Sequence, residues 1–260
     1  MEVNKIYLGD CLEVMKDIDD KSIDMILCDL PYGITACKWD VIIPFEPLWE
    51  QYHRIIKDNG AIVLTASQPF TSALVMSNIK NFKYEWIWEK AVGSNFTCLK
   101  YQPMKEHENI LVFSKNRHNY YPIMQPRKGK GLERILNPFH TISNKGGEYL
   151  NKIKKKNVNG NYSELRYPSS VQYFNNREDS RGLHPTQKPV ALFEYLIKTY
   201  TKEGDLVLDN CIGSGTTAIA CLNTGRNFIG IEKDPNYFEI ANKRIQEYRG
   251  YEKRAIFQAL

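Results

Sequence analysis

The chain has 260 residues, 42% of them hydrophobic and 25% charged, with a net charge of +5. That is enough apolar material for a full core, so a disordered or fibrous polypeptide is excluded and one large domain, or one domain carrying an insert, is expected. No apolar run approaches the roughly 18 residues of a membrane span, and Met1-Glu2-Val3-Asn4-Lys5 lacks the basic start and apolar stretch of a signal peptide, so the expected protein is cytoplasmic with no membrane contact.

The cysteines Cys11, Cys28, Cys37, Cys98, Cys211 and Cys221 form no Cys-x-x-Cys pair or zinc-spaced cluster, so they read as reduced thiols and no metal is expected. The positive charge is unevenly spread. Residues 116–183 hold 13 Lys and Arg against 5 Asp and Glu, which leaves the remainder of the chain slightly acidic.

In chain order, residues 5–8 make a short strand candidate. Gly9-Asp10-Cys11 then turns into a short helix over 12–16, for which Asp10 is a good N-cap. The run Ile23-Asp24-Met25-Ile26-Leu27-Cys28 has the composition and length of a buried strand, and Pro31 in the following Asp29-Leu30-Pro31-Tyr32-Gly33 bars further pairing. An acid and an aromatic therefore stand at the carboxyl end of a strand, where open α/β sheets bind ligands. Asp29 and the Leu30 carbonyl can accept hydrogen bonds from an exocyclic amino group, while Tyr32 offers a face for stacking.

A loop over 34–44 carries Lys38, Trp39 and Asp40, with Trp39 either a lid over the site or a plug over the core. A helix over 46–57 shows an apolar face at Leu48, Trp49, Tyr52, Ile55 and Ile56 and is expected to close at Asn59-Gly60. A strand over 61–65, a helix over 69–78 and strands over 82–89 and 109–114 follow, the first of these last two antiparallel and near a sheet edge. His107, in the connection between them, is read as fixing a loop rather than as catalytic. Residues 116–183 interleave Tyr with Lys and Arg and lose periodicity, which suits an insert that touches phosphates and base edges.

His184-Pro185-Thr186-Gln187-Lys188-Pro189 leads into a helix over 190–200 and a buried strand over 205–209. Asn210-Cys211-Ile212-Gly213-Ser214-Gly215-Thr216-Thr217-Ala218 follows, a glycine turn whose helix points its amino-terminal amides at the same space. A strand over 227–231 ends in Glu232, 19 residues after Gly213. Gly-x-Gly-x-x-Ala with such an acid also describes a dinucleotide site, so a nicotinamide-dependent oxidoreductase competes. Against it, the unit arrives after position 204 and leaves too little chain for a second mononucleotide half.

Asp-Leu-Pro-Tyr resembles the Asp-Pro-Pro-Tyr motif of DNA amino-methyltransferases, with Leu30 in place of the usual second proline. Asp209 with Gly-Ser-Gly-Thr-Thr is similar to the family's S-adenosylmethionine loop, although Asn210-Cys211 replaces its usual Pro-Phe. His-Pro-Thr-Gln-Lys-Pro matches the stretch upstream of that loop, and the motif order looks like the permuted β group. The resemblance implies an α/β fold with a mostly parallel, doubly wound Rossmann-like sheet over 1–115 and 184–260, and a target-recognition insert over 116–183.

It further implies methyl transfer from S-adenosyl-L-methionine to N6 of adenine in double-stranded DNA after base flipping. Asp29, Leu30, Pro31 and Tyr32 would be the catalytic motif, and adenine is favoured because the family's cytosine members more often carry Ser where Asp29 stands. Asp10, Cys11, Asp29, Lys188, Asp209, Asn210, Cys211, Gly213, Ser214, Gly215, Thr216, Thr217 and Glu232 would line the cofactor site. Lys38, Trp39, Arg127, Lys128, Lys154, Lys155, Lys156 and Arg177 would contact DNA. Cytosine N4, an RNA substrate and an idle DNA-binding protein stay open, as do a homodimer and a cognate restriction endonuclease.

Overall fold

The structure is a computed structural model that describes residues 1–33, 40–129, 164–177 and 187–259, with side chains to 250. Its strands are β1 (Lys5–Leu8), β2 (Ile23–Asp29), β3 (Ile56–Ala66), β4 (Phe82–Ser94), β5 (Lys105–Phe113), β6 (Gln125–Pro126), β7 (Leu165–Arg166), β8 (Val171–Phe174), β9 (Leu206–Asp209) and β10 (Asn227–Glu232). Its helices are α1 (Cys11–Val14), α2 (Phe45–Ile55), α3 (Phe70–Ser77), α4 (Val190–Tyr200), α5 (Thr216–Asn223) and α6 (Pro235–Ala259). Eight strands form one sheet in the order β1-β10-β9-β2-β3-β5-β4-β8. Only β5 runs against its neighbours, so the sheet is mostly parallel, as expected.

Both faces of the sheet are covered, which explains why its central strands are continuous apolar runs. Met25 and Leu27 of β2 and Ala61 and Val63 of β3 point to one side, where they pack with Leu192, Phe193 and Leu196 of α4 and Ala218 of α5. Ile26, Cys28, Ile62 and Leu64 point to the other, against Leu48, Trp49 and Tyr52 of α2 and Phe70 of α3. Each fully buried Leu, Ile, Val, Met or Phe among them contributes on the order of 1.5–3 kcal/mol. The path leaves β2 through α2 toward β3 on one side, and leaves β9 through α5 toward β10 on the other. The strand order therefore reverses between β2 and β9, and a crevice opens there at the strands' carboxyl ends.

Three expected boundaries are corrected. Helix α2 stops at Ile55, and Asn59-Gly60 lies within β3, where the register jumps from Ile23 opposite Ile56 to Met25 opposite Ala61. Gly60 is needed there because a Cβ would stand 2.9 Å from the Asp24 carbonyl oxygen, not because it ends a helix. Strands β4 and β5 extend toward each other, so His107 is an exposed strand residue rather than part of a loop. Val171–Phe174 joins the main sheet as a parallel neighbour of β4, so part of the basic segment belongs to the α/β core.

The chain divides into two compact units, 1–121 with 170–260 and 122–169. In the smaller one, β6 and β7 pair antiparallel, with Gln125 opposite Arg166, and the Arg127 amide donates to the Glu164 carbonyl at 2.8 Å. No helix among the described residues is long and apolar enough to cross a membrane.

Candidate active site

Strand alternation builds the first half of the site. Asp29 follows Leu27 on the α4 side of β2, and Thr65 pairs with it from the same side of β3. Further along, Glu108 of β5 lies opposite Trp88 of β4, and Lys90 follows Trp88 on the same face. Asp29, Thr65, Glu108 and Lys90 thus share one face of four successive strands, Glu108 two residues beyond the Ile110 that pairs with Thr65, and Lys188, just before α4, lies over them. Lys188 is buried, with Nζ 2.6 Å from Asp29 Oδ2 and 3.5 Å from Glu108 Oε2. Lys90 pairs with the other Glu108 oxygen. Thr65 and Tyr32 both donate to Asp29 Oδ1, Tyr32 at 2.7 Å.

This network settles the charges. Burial pulls the Lys188 ammonium down, but Asp29 and then Glu108 more than offset it and hold it above its ordinary value. Burial pushes the Glu108 carboxyl up, yet Lys188, Lys90 and Lys105 outweigh that and leave it below the usual carboxylate range. The Tyr32 hydroxyl is pushed well up by burial and by the two acids, so it remains a donor. Two carboxylates and two ammoniums in a desolvated cluster are mutually compensated, which is the condition for keeping any of them charged there.

The residues after Asp29 are held by different means. Leu30 is buried in the α2-side core, which fixes the chain where a proline would have stiffened it. The Tyr32 ring stacks on Phe70 at 5.1 Å and 26°. The Gly33 amide donates to the Asp40 carboxylate at 2.8 Å.

The second half is assembled on β9 and β10. Because Ile26 pairs with Leu208, the ends of β2 and β9 are adjacent although about 180 residues separate Asp29 from Gly213. After β9 the turn is closed from within. Asp209 is buried, accepts from the Thr217 hydroxyl, and accepts from the Cys211 amide at 3.1 Å. Asn210 accepts from the Tyr52 hydroxyl. Gly213 and Gly215 have φ of +52° and +86°, a left-handed geometry that disfavours side chains, and a Cβ on Gly215 would press on Ala241 at 3.2 Å.

The Gly213 amide donates to Glu232 Oε2 at 2.8 Å, and the Asp234 amide to its Oε1 at 2.9 Å. Asp10 caps α1 through the Leu12 amide and pairs with Lys233 at 2.9 Å, while the Gly9 amide donates to the Glu232 carbonyl. Two acids thus flank the glycine turn. Burial raises the Glu232 carboxyl above its ordinary value.

The profile of the DNA methylase family, which covers N6 and N4 enzymes, matches residues 23–243. The chain belongs to the DNA methylase family. It is 30% identical over 264 residues to the DNA adenine methyltransferase YhdJ of Escherichia coli (strain K12), covering 94% of this chain and 83% of that protein. It is 28% identical to the type II methyltransferase M.HpaI of Haemophilus parainfluenzae over 95% of this chain and 76% of that one. Among solved structures, the M1.HpyAVI–SAM complex superposes with a TM-score of 0.60 at 27% identity, covering 92% and 98% of the two chains. The cytosine-N4-specific PvuII DNA methyltransferase has a TM-score of 0.63 at 16% identity over 92% and 84%, a likeness of fold alone. Membership in this family retires the oxidoreductase and the idle DNA-binding protein.

The methylase's expected site residues are therefore spread over two adjoining strand ends. Lys188, expected beside the cofactor, has its ammonium on Asp29. Asp209, Asn210 and Thr217 bond inward to the protein, whereas Ser214 donates to Gln187 at 3.3 Å and its carbonyl accepts from Arg244 at 3.1 Å. Cys11 is buried, and Cys11, Cys28 and Cys211 are free thiols. Arg127 and Lys128 lie in the smaller unit and Arg177 in the larger. Lys38, Trp39, Lys154, Lys155 and Lys156 lie outside the described residues. Thr65, Lys90 and Glu108 were not expected. Alternation from the apolar Ile110 and Val112 back to Glu108 was the available signal for the last of them.

Proposed function

We propose that this methylase transfers a methyl group from S-adenosylmethionine to N6 of an adenine flipped out of duplex DNA. The observation that carries the reading is the adjacency of β2 and β9, which sets Asp29-Leu30-Pro31-Tyr32 and the Gly213–Gly215 turn on one crevice. The residues present suit the cofactor. The Glu232 carboxylate accepts the Gly213 amide on one oxygen and the Asp234 amide on the other, and its remaining lone-pair capacity suits ribose hydroxyls. Asp10, which pairs with the adjacent Lys233, would stand beside it, and Cys11, Asn210, Cys211, Ser214 and Thr216 would complete that wall.

Bound S-adenosylmethionine supplies a methyl group on a sulfonium sulfur. Adenine N6 is a poor nucleophile because its lone pair is delocalised into the ring. Asp29 and the Leu30 carbonyl accept hydrogen bonds from the amino group and hold it so that the lone pair faces the methyl carbon. As the nitrogen–carbon bond forms and the carbon–sulfur bond breaks, the nitrogen releases a proton, for which Asp29 is the nearest base. Tyr32, seated on Phe70, stacks on the base.

A carboxylate at the first position of the motif supports adenine, as does likeness to a relative named for adenine. The basic segment supports duplex DNA: Arg127, Lys128, Lys154, Lys155, Lys156 and Arg177 would neutralise phosphates, and Lys38 and Trp39 would add further DNA contacts. The motif order supports placement in the permuted β group. The proposal extends to two partners. Exposed Val171 and Tyr173 on the edge strand β8 suit a second copy, and relatives named as type II methyltransferases support a cognate endonuclease.

Unmethylated DNA incubated with the protein and labelled S-adenosylmethionine, then analysed by nucleoside mass spectrometry and modification-aware sequencing, tests the reading. N6-methyladenine at one sequence is the expected product. N4-methylcytosine alone would overturn the base, and product found only in RNA would overturn the substrate class.

A further inference from the structure

The side chain of Lys188 sits where the proposed mechanism needs its substrate. Its Nζ donates to Asp29 Oδ2 at 2.6 Å and stands 5.7 Å from the centre of the Tyr32 ring. Phe70 stacks on the same ring, and the ammonium lies over it as well. An N–H donor on the acid combined with cover over the tyrosine ring is the pair of contacts that a flipped base would make.

Glu108 supplies the second half of the observation. Its Oε1 is taken by Lys90, whereas its buried Oε2 accepts no hydrogen bond and has only the Lys188 ammonium as a distant ion-pair partner. A half-satisfied buried carboxylate is costly, so an unused acceptor in such a place calls for an account. Lys188 Nζ lies 3.5 Å from it, about half an ångström beyond an ordinary hydrogen bond. A lysine on a flexible four-carbon stem can exchange one of these oxygens for the other without leaving the pocket or losing a counter-charge.

We propose that Lys188 is a placeholder for the target amine: it holds Asp29 and covers Tyr32 until a base arrives, then withdraws onto Glu108 Oε2 as the base takes its contacts. Lys188 is thus a positioning residue, and Glu108 is its receiver. The exchange keeps the acid oriented and the Tyr32 ring covered between turnovers. It rests on the reading that the target amine binds Asp29.

The test uses a duplex with 2-aminopurine next to the adenine that product sequencing identifies, so that the target keeps its 6-amino group, and reads base flipping by fluorescence along with KM for DNA and kcat. Glu108→Gln removes the charge that receives the ammonium, so flipping should weaken and KM for DNA rise by roughly 10-fold, the scale of one charge-assisted hydrogen bond. Adding Lys188→Met to Glu108→Gln leaves nothing to be parked, so flipping should return to the wild-type level or above it. A purely structural role would make the double variant as poor as Glu108→Gln or worse, and that result overturns the proposal. Lys188→Gln gives an independent reading in case the double variant does not fold. A neutral amide holds Asp29 less tightly, so its flipping signal should exceed wild type even where kcat falls, and an unchanged or smaller signal counts against the placeholder. Wild-type protein that methylates no base in any DNA would instead remove the reading beneath it.

Discussion

Asp29 and Asp209 end neighbouring parallel strands and carry the same side chain, yet their surroundings differ in kind. Asp29 has a charged partner in Lys188, with Glu108 and Lys90 behind it, and keeps part of its carboxylate exposed. Asp209 is sealed, and its partners are a hydroxyl and a backbone amide. Burial without a counter-ion pushes the Asp209 carboxyl up to about 7. The first acid is paired with a charged side chain, whereas the acid that rivets a loop is held by neutral groups. Position at a strand end does not distinguish the two roles, but the partners do.

The largest expected effect separates them directly. Asp29→Ala should lower methyl transfer 10²-fold or more, since oriented catalytic groups contribute at least that much, and calorimetric titration should find cofactor affinity close to wild type. Asp209→Ala should do the reverse. By orphaning the Thr217 hydroxyl and the Cys211 amide it should cost roughly 1–3 kcal/mol of stability in urea unfolding, with turnover retained at saturating cofactor.

Titration sharpens the same contrast. Asp209 binds a proton more tightly folded than unfolded, so between about pH 4 and its folded value near 7 the native state holds a proton that the unfolded state has lost. Its contribution therefore falls as pH rises through that window and is level above it. Asp209→Asn should remove this slope, visible as a smaller change of melting temperature between pH 5 and pH 8; an identical pH dependence in the variant would contradict the assignment. Glu232→Ala should raise the cofactor dissociation constant by roughly 10-fold through loss of charge-assisted hydrogen bonds. The smallest effect belongs to the insert: neutralising Lys154, Lys155 and Lys156 should flatten the salt dependence of DNA binding without moving the target sequence.

The two strand ends were also unequally legible. The apolar run before Asp29 and the glycine turn after Asp209 are local patterns, and the elements around them fell where periodicity put them. What periodicity does not carry is pairing. Thr65 and Glu108 reach Asp29 and Lys188 only through sheet register, and β8 joins the sheet through a partner more than 80 residues away. His107 drew attention as a residue type, while the neighbouring Glu108 faces the site because alternate strand residues face opposite ways. Asn59-Gly60 has the composition of a helix stop and instead serves a bulge, since the Asp24 carbonyl that excludes a side chain is distant in sequence.

Helix α6 packs along β1, and Arg249 donates to the Asn4 carbonyl at 3.2 Å. The first strand and the last helix are thus spatial neighbours, so the order in which the two motifs are encoded is a property of where the chain is cut rather than of the sheet. A gene rewired to run from the last helix into the first strand and to begin instead at the exposed turn near Gly204 would translate the glycine turn before Asp29. The crevice between β2 and β9 would be unaltered. For a ligand entering it, the direction of reading along the chain leaves no trace.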